Sequence, residues 1–314
     1  MTDKGPRSAG GAWYQHLLLA PPLVFFAAFA VFPLLFTLYV SLSVWSISGD
    51  HRFIGFGNYA ELLTSPDFQT TFFNTVAFAV ATVLVEYVCG MTAALMLYRS
   101  RAGQGALRLA FLLPMMFTPV VVGFIWRTMF DPSYGPVDAL LRWVGLPSVP
   151  WLSERPWAFA AVVIADVWQW TPFMFLIIYA AMRALPTAPL EAAVVDGASS
   201  RQVFWDHMMP MLLPASLTAI LLRTIESFKL FDVVYLLTGG GPGVGTATIT
   251  LSAYFTGLRN GDLGSAAAMT FLLLVVVLVV TTVLLKVAAR IGRTKPRRRV
   301  VELPQTSPSE GVPA

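Results

Sequence analysis

Long apolar runs separated by short polar segments dominate this chain. Leu17 to Gly49 contains no Asp, Glu, Lys or Arg, and neither does Leu263 to Leu285. A helix needs about 20 apolar residues to cross the hydrocarbon core of a bilayer. By that measure six spans are predicted, at 17–45, 70–98, 107–129, 157–182, 210–237 and 263–288. Glu86 interrupts the second and Asp166 the fourth, whereas the fifth carries Arg223, Glu226, Lys229 and Asp232. Backbone groups in hydrocarbon must be bonded within the protein, so runs of this length read as helices. The alternating segments of about ten residues that mark a membrane barrel are absent. The expected fold class is an all-α membrane protein with six transmembrane helices.

Composition agrees with this pattern. Of the 314 residues, 56% are hydrophobic and 12% charged. A soluble domain carries about a quarter charged residues, so too little polar surface is left to coat a globule. The first run far exceeds the h-region of a cleavable signal, about 7–15 residues, and reads as a retained helix. The single cysteine, Cys89, lies in an apolar run and forms neither an internal disulfide nor a zinc site. The formal charge of +4 sits beside the apolar runs rather than in one stripe, which indicates lipid headgroups and not nucleic acid.

The Lys and Arg residues also assign sides. Thirteen fall on the side of the N-terminus, the second-to-third loop, the fourth-to-fifth loop and the C-terminus, against five on the other side. The positive-inside rule makes the first side cytoplasmic, with both termini inside. Residues 1–16 then form a cytoplasmic tail, 17–290 the membrane domain, and 291–314 a basic, disordered cytoplasmic tail held near anionic lipid.

The segment between the fourth and fifth spans is too long for a connector. From Pro186 to Pro210 it runs roughly 25 residues, where about 2–8 join antiparallel helices. Leu190, Val194 and Val195 are expected on one helical face. Gly197 allows a sharp turn or a close approach, and Ser199 or Ser200 caps a second short helix through Phe204 and Trp205. Such an element looks like a plug for a groove on another protein. The alternative is an amphipathic helix on lipid, which few basic residues and the acidic pair Glu191 and Asp196 disfavour.

Glu191-Ala192-Ala193, then Gly197, then Met209-Pro210 and Leu213-Pro214 resemble the EAA loop of ABC importer permeases in residue type and spacing. Phe53-Ile54-Gly55-Phe56-Gly57-Asn58-Tyr59, Phe73-Asn74-Thr75 and the Gly-rich run from Leu237 to Gly243 resemble permeases of the maltose, trehalose and glycerol-phosphate type. The resemblance covers about residues 15 to 290. It implies that 186–209 is a coupling loop, with Glu191, Ala192, Ala193, Asp196 and Gly197 meeting the ATPase. It also implies a second related permease, two copies of an ABC ATPase that carry the ATP and Mg, and an extracytoplasmic solute-binding protein. The location implied is the bacterial inner membrane.

The chain itself offers no catalytic constellation. None of its four lysines is followed by Ser or Thr as a phosphate-binding loop requires, and its three histidines lack metal-ligand spacing. No cofactor or metal is expected on it. Intramembrane ionisable groups are functional suspects. In the fifth span, Arg223–Glu226 and Glu226–Lys229 have the spacing of helical ion pairs. A face of Arg223, Ser227 and Leu230 alternatively lines a substrate path. In the fourth span Asp166, Trp168, Gln169 and Trp170 suit a sugar, aromatic faces stacking on the ring while polar groups bond hydroxyls. The two Trp residues point apart, and either also serves as packing between helices. By resemblance Trp168, and more weakly Met116 and Val120, lie near the substrate. Glu86 reads as a partner for an intramembrane Arg. Arg223 departs from the Ser- and Asn-like groups of resembling permeases, which leaves open an anionic substrate or a structural pair. The expected function is a permease half for a disaccharide such as trehalose or maltose. The alternatives are a glycerol-3-phosphate-type importer and, in a different class, an ion-coupled secondary transporter.

Overall fold

The computed structural model describes residues 12–99 and 104–292. The expectations for the two tails fall largely outside these residues. The first span is α1 (Ala12–Phe26) and α2 (Phe32–Ser41), joined by a π-helical turn at Ala27–Val31. It ends sooner than predicted. Ser43–Trp45 (β1) pairs antiparallel with His51–Phe53 (β2), Val44 opposite Arg52. A short α3 (Gly57–Thr64) leads into α4 (Pro66–Arg99), whose 34 residues make it roughly 51 Å long at 1.5 Å per residue.

The third span is where the prediction of one helix fails. It is split into α5 (Gln104–Met116) and α6 (Pro119–Met129), bent by 99°. Pro119 disfavours helical geometry at Thr118, which is extended with ψ 147°. An amphipathic α7 (Pro136–Trp143) follows, pinned by a buried carboxylate. Asp138 accepts hydrogen bonds from the Ser148 hydroxyl and the Val149 amide, and the hydroxyl holds its carboxyl below the usual range. The fourth span is the continuous α8 (Arg155–Arg183), with Pro172 inside it.

Next come α9 (Ala188–Val195) and α10 (Ser200–Gln202), a π-helical stretch Val203–Met208, and α11 (Met209–Ser227). The predicted fifth span, 210–237, is therefore shifted and is not one helix. Its helix starts earlier, stops at Ser227, and resumes as the separate α12 (Asp232–Leu237). Lys229 lies in the break. The chain closes with α13 (Ile249–Tyr254), a π-helical turn and α14 (Leu263–Gly292). Among the described residues five helices are long and apolar enough to span, or six when the bent α5–α6 pair is counted as one span.

The bundle is built around α4 against α8, its most extensive helix pair. Their approach depends on Gly90: a Cβ there would meet Met174 Cβ at 2.6 Å and the Phe175 amide nitrogen at 2.9 Å. Beside this contact, Ala94, Leu97, Phe175, Ile178 and Leu212 form one apolar core. The first span stays outside it, with 6% of its apolar window buried. Two motifs noted in the sequence act as staples. Asn58 donates to the carbonyls of Ser41 and Ser43 at 2.8 and 2.9 Å, and Asn74 to those of Val244 and Ala247 at 3.0 and 3.2 Å. Replacing Gly90 by Leu is expected to force α4 from α8 and lower stability by about 1–3 kcal/mol or more, read as a fall in Tm in detergent, with Gly90→Ala falling less.

Candidate functional site

The bend in the third span and the interruption after the fifth meet at one pocket, and each leaves carbonyls without helical partners. Side chains from other elements satisfy them. Gln169 Nε2 on α8 donates to the Phe117 carbonyl at 3.0 Å. Thr248 and Thr250 donate to the Leu230 carbonyl at 2.9 and 2.7 Å. In hydrocarbon this bonding is what makes non-helical backbone tolerable. Between the two breaks lies a pocket of about 170 Å³. Its wall includes Pro119, Asp166, Gln169, Trp170, Arg223 and Leu230, with Glu226, Lys229 and Asp232 at the interruption after the fifth span. Gln169 Oε1 is buried and has no hydrogen-bond partner in the protein.

Behind the wall sits an ion triad that joins three helices. Arg223 on α11 donates through Nε to Glu86 Oε2 at 2.7 Å and through Nη2 to Glu86 Oε1 at 2.9 Å. The same Nη2 reaches Asp166 Oδ2 on α8. Glu86 is 0% and Arg223 2% exposed. The Arg223 guanidinium also lies over the Trp170 ring, 5.1 Å from its centroid. The expected Arg223–Glu226 pair is not formed, because Arg223 turns inward to Glu86, the partner role read for that carboxylate. Glu226 instead pairs with Lys229 at 2.7 Å, both about half exposed.

The predicted substrate-path residues thus separate. Asp166, Gln169, Trp170, Arg223, Glu226 and Leu230 come together at the pocket. Ser227 does not: its hydroxyl bonds the Arg223 carbonyl at 2.9 Å and faces Thr82 on α4. Trp168 packs between Phe117 and Trp126, the packing alternative for this residue. Met116 and Val120 lie outside the pocket and are exposed. Asp232, one of the fifth-span charges suspected from the sequence, also reaches the pocket wall, whereas nothing in the sequence marked Thr248 and Thr250 as holding the Leu230 carbonyl beside it.

At the far end of α8, the α9 segment has a defined ending. The Ala198 amide bonds the Ala193 carbonyl at 2.9 Å and the Gly197 amide the Val194 carbonyl at 3.1 Å. This is a Schellman motif, and its C′ residue needs positive φ. Gly197 supplies it at φ +84°, with open space where a Cβ would stand. Of its two expected uses, the turn is the one Gly197 serves within the chain. Ser199 then caps α10 in a capping box with Gln202. The expected single apolar face is divided. Leu190 and Ala193 turn inward, while Val194 and Val195 are 61% and 87% exposed and Trp205 57%. Glu191, Ala192 and Asp196 are exposed on the same segment. A cavity of about 620 Å³ lies between α9, the end of α4 and the π-helical stretch.

A bundle of intact and broken spans around a polar pocket, with a structured helical loop at one end, is the build of a membrane transport permease. The family model "Binding-protein-dependent transport system inner membrane component" matches residues 86–293, and the chain belongs to that family. It is 38% identical over 274 residues to the trehalose/maltose transport system permease protein MalF of Thermococcus litoralis, covering 87% of this chain and 92% of that one. The trehalose transport system permease protein SugA of Mycobacterium tuberculosis is 34% identical, covering 81% and 82%. The sn-glycerol-3-phosphate transport system permease protein UgpA of Agrobacterium fabrum is 31% identical, covering 82% and 88%. Among solved structures, a chain of a bacterial alginate ABC transporter in complex with an alginate pentasaccharide-bound periplasmic protein shares the fold. Its TM-score is 0.78 at 23% identity, with 90% of this chain and 96% of that chain covered.

Removing one partner from a buried ion cluster costs about 3–5 kcal/mol, whereas replacing all partners by apolar groups of like volume is often neutral or better. Arg223→Met alone is therefore expected to reduce the yield of folded, monodisperse protein sharply. The triple variant Glu86→Met, Asp166→Leu, Arg223→Met is expected to recover much of it, as checked by size exclusion and thermal unfolding.

Proposed function

We propose that this chain forms half of the translocation path of an ATP-driven importer for a disaccharide such as trehalose or maltose. The observation that carries the coupling role is the α9–Gly197–α10 element. Its helix is stopped by a Schellman motif, and it exposes the apolar Val194, Val195 and Trp205 on a surface that lipid does not cover in the proposed orientation. A helical element with exposed apolar side chains suits a groove on an ATPase subunit, of which two copies would supply ATP and Mg chemistry. The pocket between the two interruptions is the proposed substrate path. Its size fits about one sugar ring, Trp170 offers an aromatic face, and Gln169 Oε1 is a waiting acceptor for a hydroxyl.

The rest of the proposed assembly is a second, homologous permease and an extracytoplasmic solute-binding protein, in a bacterial inner membrane with both termini inside. The organisation into a tail at 1–16, a membrane domain at 17–290 and a tail at 291–314 belongs to the same reading. Closure of the ATPases would push α9. Leu190 and Met208 pack in the same apolar core as α4, α8 and α11, and the triad ties these three helices beside the pocket. A push at one end would thereby reach the other.

Two substitutions test this in the complete transporter. Glu191→Lys is expected to abolish sugar uptake while the chain still inserts. Gly197→Val is expected to do the same by forbidding positive φ, with Gly197→Asn retaining part of the activity because Asn tolerates that conformation. Normal uptake by either Glu191→Lys or Gly197→Val, with the ATPase still co-purifying, would sink the coupling role. Transport by the lone chain in liposomes would sink the ATP-driven reading altogether.

A further inference from the structure

The charges around the pocket are unequal, and their arrangement bears on which solutes can enter. Asp166, Arg223, Glu226, Lys229 and Asp232 all contribute to its wall, and Glu86 stands directly behind. Four carboxylates thus face two cations. Arg223 is the cation that a sequence reader would assign to an anionic ligand, yet its Nε and Nη2 are already given to Glu86 and Asp166, and its face to Trp170. Lys229 is bonded to Glu226 and half exposed to solvent. Among the described residues no cation lies within ion-pair distance of Asp232. With Arg223 shared by Glu86 and Asp166 and Lys229 paired with Glu226, the carboxylate left without a cation is Asp232. Asp232 is only partly exposed, so its charge acts over a few ångströms with less screening than in bulk water. The buried Gln169 Oε1, an acceptor without a donor, adds a group that hydroxyls satisfy and phosphate oxygens do not.

We infer that this wall is an anion-excluding filter, which admits uncharged polyhydroxylated solutes and rejects phosphorylated, sulfonated or carboxylated sugars. Asp232 sets its charge at the break. Arg223 is a positioning residue that holds α4, α8 and α11 in register and does not bind substrate. The inference rests on the carbohydrate reading proposed above and narrows its substrate class.

The test uses the complete transporter in nanodiscs without the solute-binding protein, so that the binding protein's own selectivity does not enter. Radiolabelled maltose, trehalose and trehalose 6-phosphate are the probes, read by equilibrium dialysis. The wild type is expected to bind a neutral disaccharide roughly tenfold or more tighter than the phosphate ester, the scale of one unit charge several ångströms away. Asp232→Asn is expected to narrow that ratio, and Lys229→Gln to widen it. Opposite shifts from neighbouring residues are not what loss of fold produces. Equal or tighter binding of the phosphate ester by the wild type overturns the filter and leaves the carbohydrate reading standing. Shifts of the ratio in the same direction, or no shift, also overturn the filter. Binding of neither neutral sugar nor phosphate ester overturns the carbohydrate reading, and the filter with it.

Discussion

In the hydrocarbon of a membrane a backbone carbonyl must find its donor inside the protein, and the centre of this molecule follows from that constraint. A continuous helix meets it without help from side chains. Here the third span is bent at Phe117–Thr118 and the chain leaves the helix after the fifth at Phe228–Phe231, and the loosened backbone is held by Gln169, Thr248 and Thr250. These side chains belong to elements distant in sequence, so the bonding also fixes how α8 and the α13 region sit against the breaks. The pocket is the space that such breaks leave. Discontinuous helices at membrane depth recur in transporters for this reason, because only non-helical backbone and its supporting polar groups can line a path for polar cargo.

The buried triad obeys the same economy at the level of side chains. Glu86, Asp166 and Arg223 would each be intolerable alone in a bilayer. Together they join α4, α8 and α11 through bonds whose geometry admits one register. An apolar cluster at this position would give adhesion without direction, whereas a bidentate guanidinium resists both sliding and rotation. Gly90, one turn along α4 from Glu86, lets α4 approach α8 closely enough for the cluster to form.

Hydropathy alone made the span count and most helix positions legible, since length and apolar content decide them. The loop between the fourth and fifth spans was also legible in detail. The spacing from Glu191 to Gly197 is that of a short helix plus its C′ glycine, which is a local constraint. What could not be read were the breaks. Pro114 and Pro119 mark the third span, but proline is often absorbed inside membrane helices, as Pro172 is in α8. Nothing local marks Phe228–Phe231, whose interruption depends on hydroxyls nearly twenty residues later. Pairing by spacing misled for the same reason. Arg223 lies three residues before Glu226 but bonds carboxylates 137 and 57 residues away. For Trp168 and Ser227 the helical face was an ambiguous guide until the neighbouring helices were in place.

The exposure of Val194, Val195 and Trp205 has a consequence for the life of the chain before assembly. Lipid can cover the bare first span of a solitary subunit, but water cannot comfortably solvate three large apolar side chains on a helical loop. If the proposed ATPase covers them in the assembly, an orphan subunit would be the form that leaves them bare. The residues proposed to transmit force in the finished machine would then also report whether the machine has been finished, so that stoichiometry is policed by the same surface that is meant to work.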